Sequence, residues 1–167
     1  WLGLGTCCVG VGKLYQGKPH EALEPLREGI QMARATGARI LLPNYYGCLA
    51  EACWKSGDPR QGLGHVDLAL QFAIESNERF SEAELHRLRG EILNALGDDE
   101  AEACLRTSLD VAQRQEAKSL ELRTAISLAR FWKDGKNREQ GRQLLSDALN
   151  WFTEGFEMPT LQEARRL

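Results

Sequence analysis

"LHRLRGEILNALGDDEAEACLRTSL", residues 85–109, decides the fold. It reads as helix up to Leu96, yet Gly90 stands inside it. A glycine there costs about 1 kcal/mol against alanine. Gly97 and Asp98 then stop the helix, and a second amphipathic pattern begins. A glycine within one helix and a sharp stop after it are punctuation, and the punctuation recurs.

Gly17, Gly57 and Gly97 fall 40 residues apart, and Gly135 follows 38 later. Gly37, Asn77, Ala117 and Gly155 keep nearly the same beat. Gly and Asn accept the left-handed conformation that closes helices. Asp58 before Pro59 is an N-cap followed by proline at the first helical position. Asp98 and Asn137 can cap in the same way. Ser81 with Glu84, and Thr160 with Glu163, have capping-box spacing. The chain therefore reads as helical hairpins over units 1–37, 38–77, 78–117 and 118–155, with a terminal capping helix from about 160. Helices are predicted over 2–16, 19–35, 41–56, 59–76, 80–96, 99–116, 119–134 and 138–152. No run alternates with period two, so no sheet is expected. Leu49, Leu88, Leu93, Leu105, Leu109, Leu128, Trp132 and Leu145 are the predicted core.

These units resemble tetratricopeptide repeats. That pattern puts a small residue midway along helix A, a large apolar residue three later, and glycine at the turn. Helix B then carries small, large and small residues in turn. The third unit supplies Gly90, Leu93, Gly97, Ala101, Leu105 and Ser108. The second supplies Ala50, Cys53, Gly57, Gly62, Val66 and Ala69. The first supplies Gly10, Gly17, Ala22, Leu26 and Gly29, with Lys13 in place of the apolar residue. The fourth supplies Ala129, Trp132, Gly135, Gly141, Leu145 and Ala148. Small residues let neighbouring helices approach, and large ones fill the remaining gaps. The period of 40 exceeds the usual ~34. Longer units of this kind resemble the C-terminal repeat regions of bacterial signalling proteins. There a class III adenylate/guanylate cyclase or a LuxR-type domain precedes a STAND-like ATPase. "ERFSEAELHRLRGEIL" and "WFTEGFEMPTLQEARRL" carry that likeness. The resemblance implies an all-α, right-handed superhelical solenoid of about four hairpins in a single domain, 1–167.

Composition fits a folded chain: 43% hydrophobic, 27% charged, net charge −3. The charge gives no general case for nucleic acid. No apolar run reaches the roughly 20 residues that span a bilayer. The start at Trp1 and the end inside a helical stretch lead to the expectation of a piece of a longer, cytoplasmic protein. Cys7, Cys8, Cys48, Cys53 and Cys104 are odd in number and irregular in spacing, which favours free thiols over a disulfide framework.

Chemistry is hard to place on this pattern. Gly10, Gly12 and Lys13 lack the spacing and hydroxyl of a phosphate loop. His20, His65 and His86 are scattered over three units, so no metal site is expected. No catalytic residue and no cofactor is assigned. The resemblance instead implies an inner groove lined by the A helices. Transferred by alignment, its positions are Leu4, Cys7, Val11 and Leu14; Asn44, Gly47, Glu51 and Trp54; Glu84, Arg87, Glu91 and Asn94; and Arg123, Ile126, Arg130 and Lys133. This runs from apolar through acidic and mixed to basic. The expected partner is a protein or peptide segment, or the upstream domains of the same protein, with Trp54 as anchor. The basic end, Arg123, Arg130 and Lys133, would meet an acidic segment. A small-molecule effector in the groove is the alternative. The apolar helix over 2–16 is expected to pair two copies.

Overall fold

The computed structural model describes residues 1–37 and 39–167. Among them are nine helices and no strand. They are α1 (Leu2–Tyr15), α2 (Pro19–Ala35), α3 (Leu42–Lys55), α4 (Pro59–Ser76), α5 (Glu82–Leu96), α6 (Ala101–Arg114), α7 (Lys118–Phe131), α8 (Arg138–Asn150) and α9 (Pro159–Arg166). Each helix packs on its chain neighbours, and α1, α3, α5, α7 and α9 also touch in succession. The result is an α-solenoid of tetratricopeptide-like hairpins. Odd-numbered helices form the inner layer and α2, α4, α6 and α8 the outer one.

The turns explain the repeat. Gly17, Gly57 and Gly97 adopt φ of +74°, +95° and +74°. The residue after each donates its N–H back to helix A: Lys18 to the Lys13 carbonyl, Asp58 to Cys53 and Asp98 to Leu93, all at 3.0 Å. The last carbonyls of each helix are thereby satisfied. Asn77 takes the same backbone form at the end of α4. In the third unit the left-handed residue is Glu116, not Ala117, which shifts that turn one residue earlier. Asp58 caps α4 by accepting from the Gln61 N–H at 2.9 Å.

The other predicted caps differ. Asp98 accepts from the Glu100 N–H at 2.9 Å, and α6 begins only at Ala101. Asn137 precedes α8 without a side-chain cap. Ser81 precedes α5 uncapped, its backbone already helical at φ −95° and ψ 0° rather than in the extended form a cap needs, while the Glu84 carboxylate pairs with Arg87 and Arg123. Thr160 lies inside α9, and Glu163 pairs with Arg130.

Gly90 faces the outer helix of its own hairpin. A Cβ there would lie 2.7 Å from Leu105 Cγ and 3.0 Å from the Ala101 carbonyl oxygen. The glycine therefore permits helix contact closer than any side chain allows. Leu49, Leu88, Leu93, Leu105, Leu128, Trp132 and Leu145 are buried as predicted, whereas Leu109 is only half-buried. Helix α7 ends three residues before the predicted boundary. Trp132 folds onto α6 there, donating Nε1–H to Glu102 at 3.1 Å beneath the Arg106 guanidinium.

Candidate functional site

The inner helices bring one side-chain set from each hairpin to a shared concavity. A hollow of about 340 Å³ is lined by Tyr15 from α1, Glu51, Trp54 and Lys55 from α3, and Arg87 and Glu91 from α5. Arg123, Ile126, Ser127 and Arg130 from α7 and Thr160 and Glu163 from α9 complete it. A smaller recess beside it, about 40 Å³, holds Asn44, Gly47, Glu51, Glu84 and Arg123. Helical geometry explains the convergence: residues three or four apart share one face. In α5 that face presents Glu84, Arg87 and Glu91 together.

Arg87 is the hub. Its side chain is 7% exposed, between Glu84 at 2.7 Å and Glu91 at 2.8 Å. It also donates to Ser127 Oγ on α7 at 3.2 Å. Ser127 in turn donates to Glu91 Oε1 at 2.5 Å. Arg123 reaches from α7 to Glu84 at 2.8 Å. Lys55 pairs with Glu51 at 2.6 Å, and Arg130 with Glu163. Burial alone would push the Glu84 carboxyl up, but Arg87, Arg123 and Lys55 together hold it below the usual carboxylate value. Burial works against the Arg87 charge, but Glu84, Glu91 and Glu51 more than offset it and keep the guanidinium protonated. Burial, reinforced by Glu51 and Glu84, pushes the neighbouring Cys48 thiol to about 12, so it stays protonated.

Asn44, Glu51, Trp54, Glu84, Arg87, Glu91, Arg123, Ile126 and Arg130 thus stand around the hollow and its recess. Asn94 is exposed and lines neither, near the end of α5. Lys133 lies beyond the end of α7 and is exposed. Cys7 and Leu14 are buried against the core, with Leu4 and Val11 half-buried beside them. The sequence gradient from acidic to basic gives way to interleaved ion pairs: Glu51–Lys55, Glu84–Arg87 and Glu91–Arg87 close within one helix, whereas Glu84–Arg123 and Glu163–Arg130 join α7 to its neighbours. Tyr15, Lys55, Ser127, Thr160 and Glu163 were not among the sequence-derived positions. Tyr15 follows directly on Leu14, and its 77% exposure marks it as an outward residue on an otherwise apolar helix. Glu163 enters because α9 takes the place of a fifth inner helix, which the four-hairpin alignment does not include.

Among the described residues, no three His, Cys, Asp or Glu side chains converge as a metal site would require. Among the described residues no helix is long and apolar enough to cross a membrane. The five cysteines are free thiols.

No family model matches the chain, and no curated protein matches it. Among solved structures it is similar to a kinesin light chain candidate from Podosopora anserina with nearly identical TPR-like repeats. The TM-score is 0.69 at 16% identity, covering 96% of this chain and 80% of the other. This likeness concerns the fold.

Proposed function

We propose that the chain is a non-catalytic scaffold whose concave groove holds an extended segment of a partner protein. The observation that carries this reading is the convergence of all five inner helices on one open hollow. Trp54, Tyr15 and Ile126 offer apolar contact within a rim of charges, the pattern of a peptide-binding surface. Four cations (Lys55, Arg87, Arg123, Arg130) face four carboxylates (Glu51, Glu84, Glu91, Glu163). The groove therefore suits a segment of mixed charge better than a wholly acidic one. The exposed pairs can trade partners at small cost, whereas Arg87 stays fixed.

The resemblance of the repeat units supports a place in a bacterial signalling protein, beside a nucleotide cyclase or ATPase domain whose own segment is the partner. Five free thiols fit a reducing, cytoplasmic setting. A second copy pairing through α1 belongs to the same proposal, because Leu2 and Val9 are exposed there.

Peptides selected by display against the intact chain test the groove. Trp54→Ala and Arg123→Glu should each weaken their binding about tenfold or more. Unchanged binding by both folded variants would remove the groove from the account.

A further inference from the structure

A second hollow, about 510 Å³, opens where the second hairpin stacks on the first. It shares no residue with the concave groove. Its lining is Arg27, Ile30, Gln31, Arg34 and Ala35 of α2, Tyr46 and Leu49 of α3, and His65 of α4. The volume falls within the range of small-molecule sites.

Three observations give it a chemical character. Two guanidiniums line it, and no carboxylate does. Arg27 donates to Gln61 Oε1 at 2.5 Å and Arg34 to the Tyr46 hydroxyl at 3.2 Å, both neutral partners. Among the described residues neither arginine makes an ion pair. The floor between them is apolar: Ile30 and Leu49 are buried, and the Tyr46 ring stacks on Phe72 at 5.4 Å.

The repeat itself supplies a control. Forty residues on, the counterparts of Arg27 and Arg34 are Asp67 and Ile74. There Asp67 pairs with Arg89 at 2.8 Å, and the seam neutralises itself. Stacking of hairpins therefore does not require two unpaired arginines. At the third seam the counterparts are Thr107 and Arg114, so only the first seam carries an arginine at both positions.

The spacing sets the ligand. Seven residues of α-helix separate the two Cα atoms by about 10 Å. Two guanidiniums rooted that far apart suit an elongated dianion, its middle over Ile30 and Leu49, better than a single small anion. We infer that this hollow is a site for a small linear organic dianion with an apolar spacer, held at one end by Arg27 and at the other by Arg34. Asp58, the acid whose charge acts on His65, is engaged in capping α4 and does not line the hollow.

Linear dicarboxylates serve as a molecular ruler. Titration of the intact chain with the series from succinate to sebacate, followed by amide NMR, should shift Gln31, Tyr46, Leu49 and His65 saturably. Affinity should peak in the middle of the series, near suberate and azelate, whose extended chains come closest to the span of about 10 Å set by the helix rise. Octanoate, with one head, should bind about tenfold more weakly. Arg34→Gln and Arg27→Gln should each bring suberate down to the octanoate level, while Trp54→Ala leaves it unchanged. If Arg34→Gln unfolds the chain, Arg27→Gln carries the test alone. Affinity independent of chain length, shifts elsewhere, or tighter binding of a hexaglutamate peptide than of any dicarboxylate would each overturn the assignment. The groove proposal is untouched by these outcomes, because its residues are different.

Discussion

Arg87 donates to Ser127 Oγ at 3.2 Å, and the two residues stand 40 positions apart. One repeat thereby grips the next at equivalent depth on successive inner helices. The same guanidinium holds Glu84 and Glu91. The groove floor is thus one buried charge network spanning α5 and α7.

Removing that hub leaves two carboxylates without their buried partner. Arg87→Met should cost about 3–5 kcal/mol in urea unfolding, since it strands charge in a site only 7% exposed. Replacing the exposed Arg106, paired with Glu102 at i,i+4, should cost under about 1 kcal/mol. Equal losses from the two substitutions would contradict the network.

Glycine positions should divide by their surroundings. A Cβ at Gly90 meets Leu105 and the Ala101 carbonyl, and one at Gly29 lies 2.6 Å from the Cys7 nitrogen. Gly90→Val and Gly29→Ala should each destabilise by about 1–3 kcal/mol. At Gly12 nothing lies within 4 Å, so Gly12→Ala should stabilise by about 0.5–1 kcal/mol through helix propensity. Thermal unfolding of the three variants checks the ordering.

These glycines show how far the sequence could be read. Spacing located Gly17, Gly57, Gly97 and the hairpins they close, because turn chemistry is local. It located Glu84, Arg87 and Glu91 together, because one helix face is also local. It did not show that Arg123 meets Glu84 or that Arg130 meets Glu163, because those pairs depend on how hairpins stack. Lys133 was placed in the groove on the assumption that α7 continues; burial of Trp132 on α6 ends it first. Ser81 carries a capping signal that its own helical backbone leaves unused, and the Glu84 carboxylate serves Arg87 and Arg123 instead.

Acid unfolding should proceed in two stages. Burial pushes the His65 and His86 imidazoles below their usual value, with Arg27 and Arg89 respectively adding to it. The unfolded chain then takes up protons first, so stability falls as pH drops through the ordinary imidazole range. Glu84 is held below the usual carboxylate value, so its contribution is present above that value and lost as pH falls through the folded one. His65→Gln with His86→Gln should flatten the first stage, and Glu84→Gln the second. Unchanged pH profiles of the unfolding midpoint would contradict both assignments.

Self-association should follow the exposed side of α1. Leu2 is 77% and Val9 56% exposed, whereas Leu4 and Val11 pack against the core. Leu2→Glu with Val9→Glu should abolish concentration-dependent association without loss of helicity. Sedimentation of the unsubstituted chain as a strict monomer at high concentration would remove α1 as an interface.

Hydrogen exchange on the complex with a display-selected peptide tests the central claim most directly. Protection should rise along the inner helices, at amides around Trp54, Arg87, Ser127 and Arg130, and stay unchanged on the outer helices α2, α4 and α6. Protection confined to the outer helices, or to one hairpin alone, would contradict a groove assembled from all the inner helices.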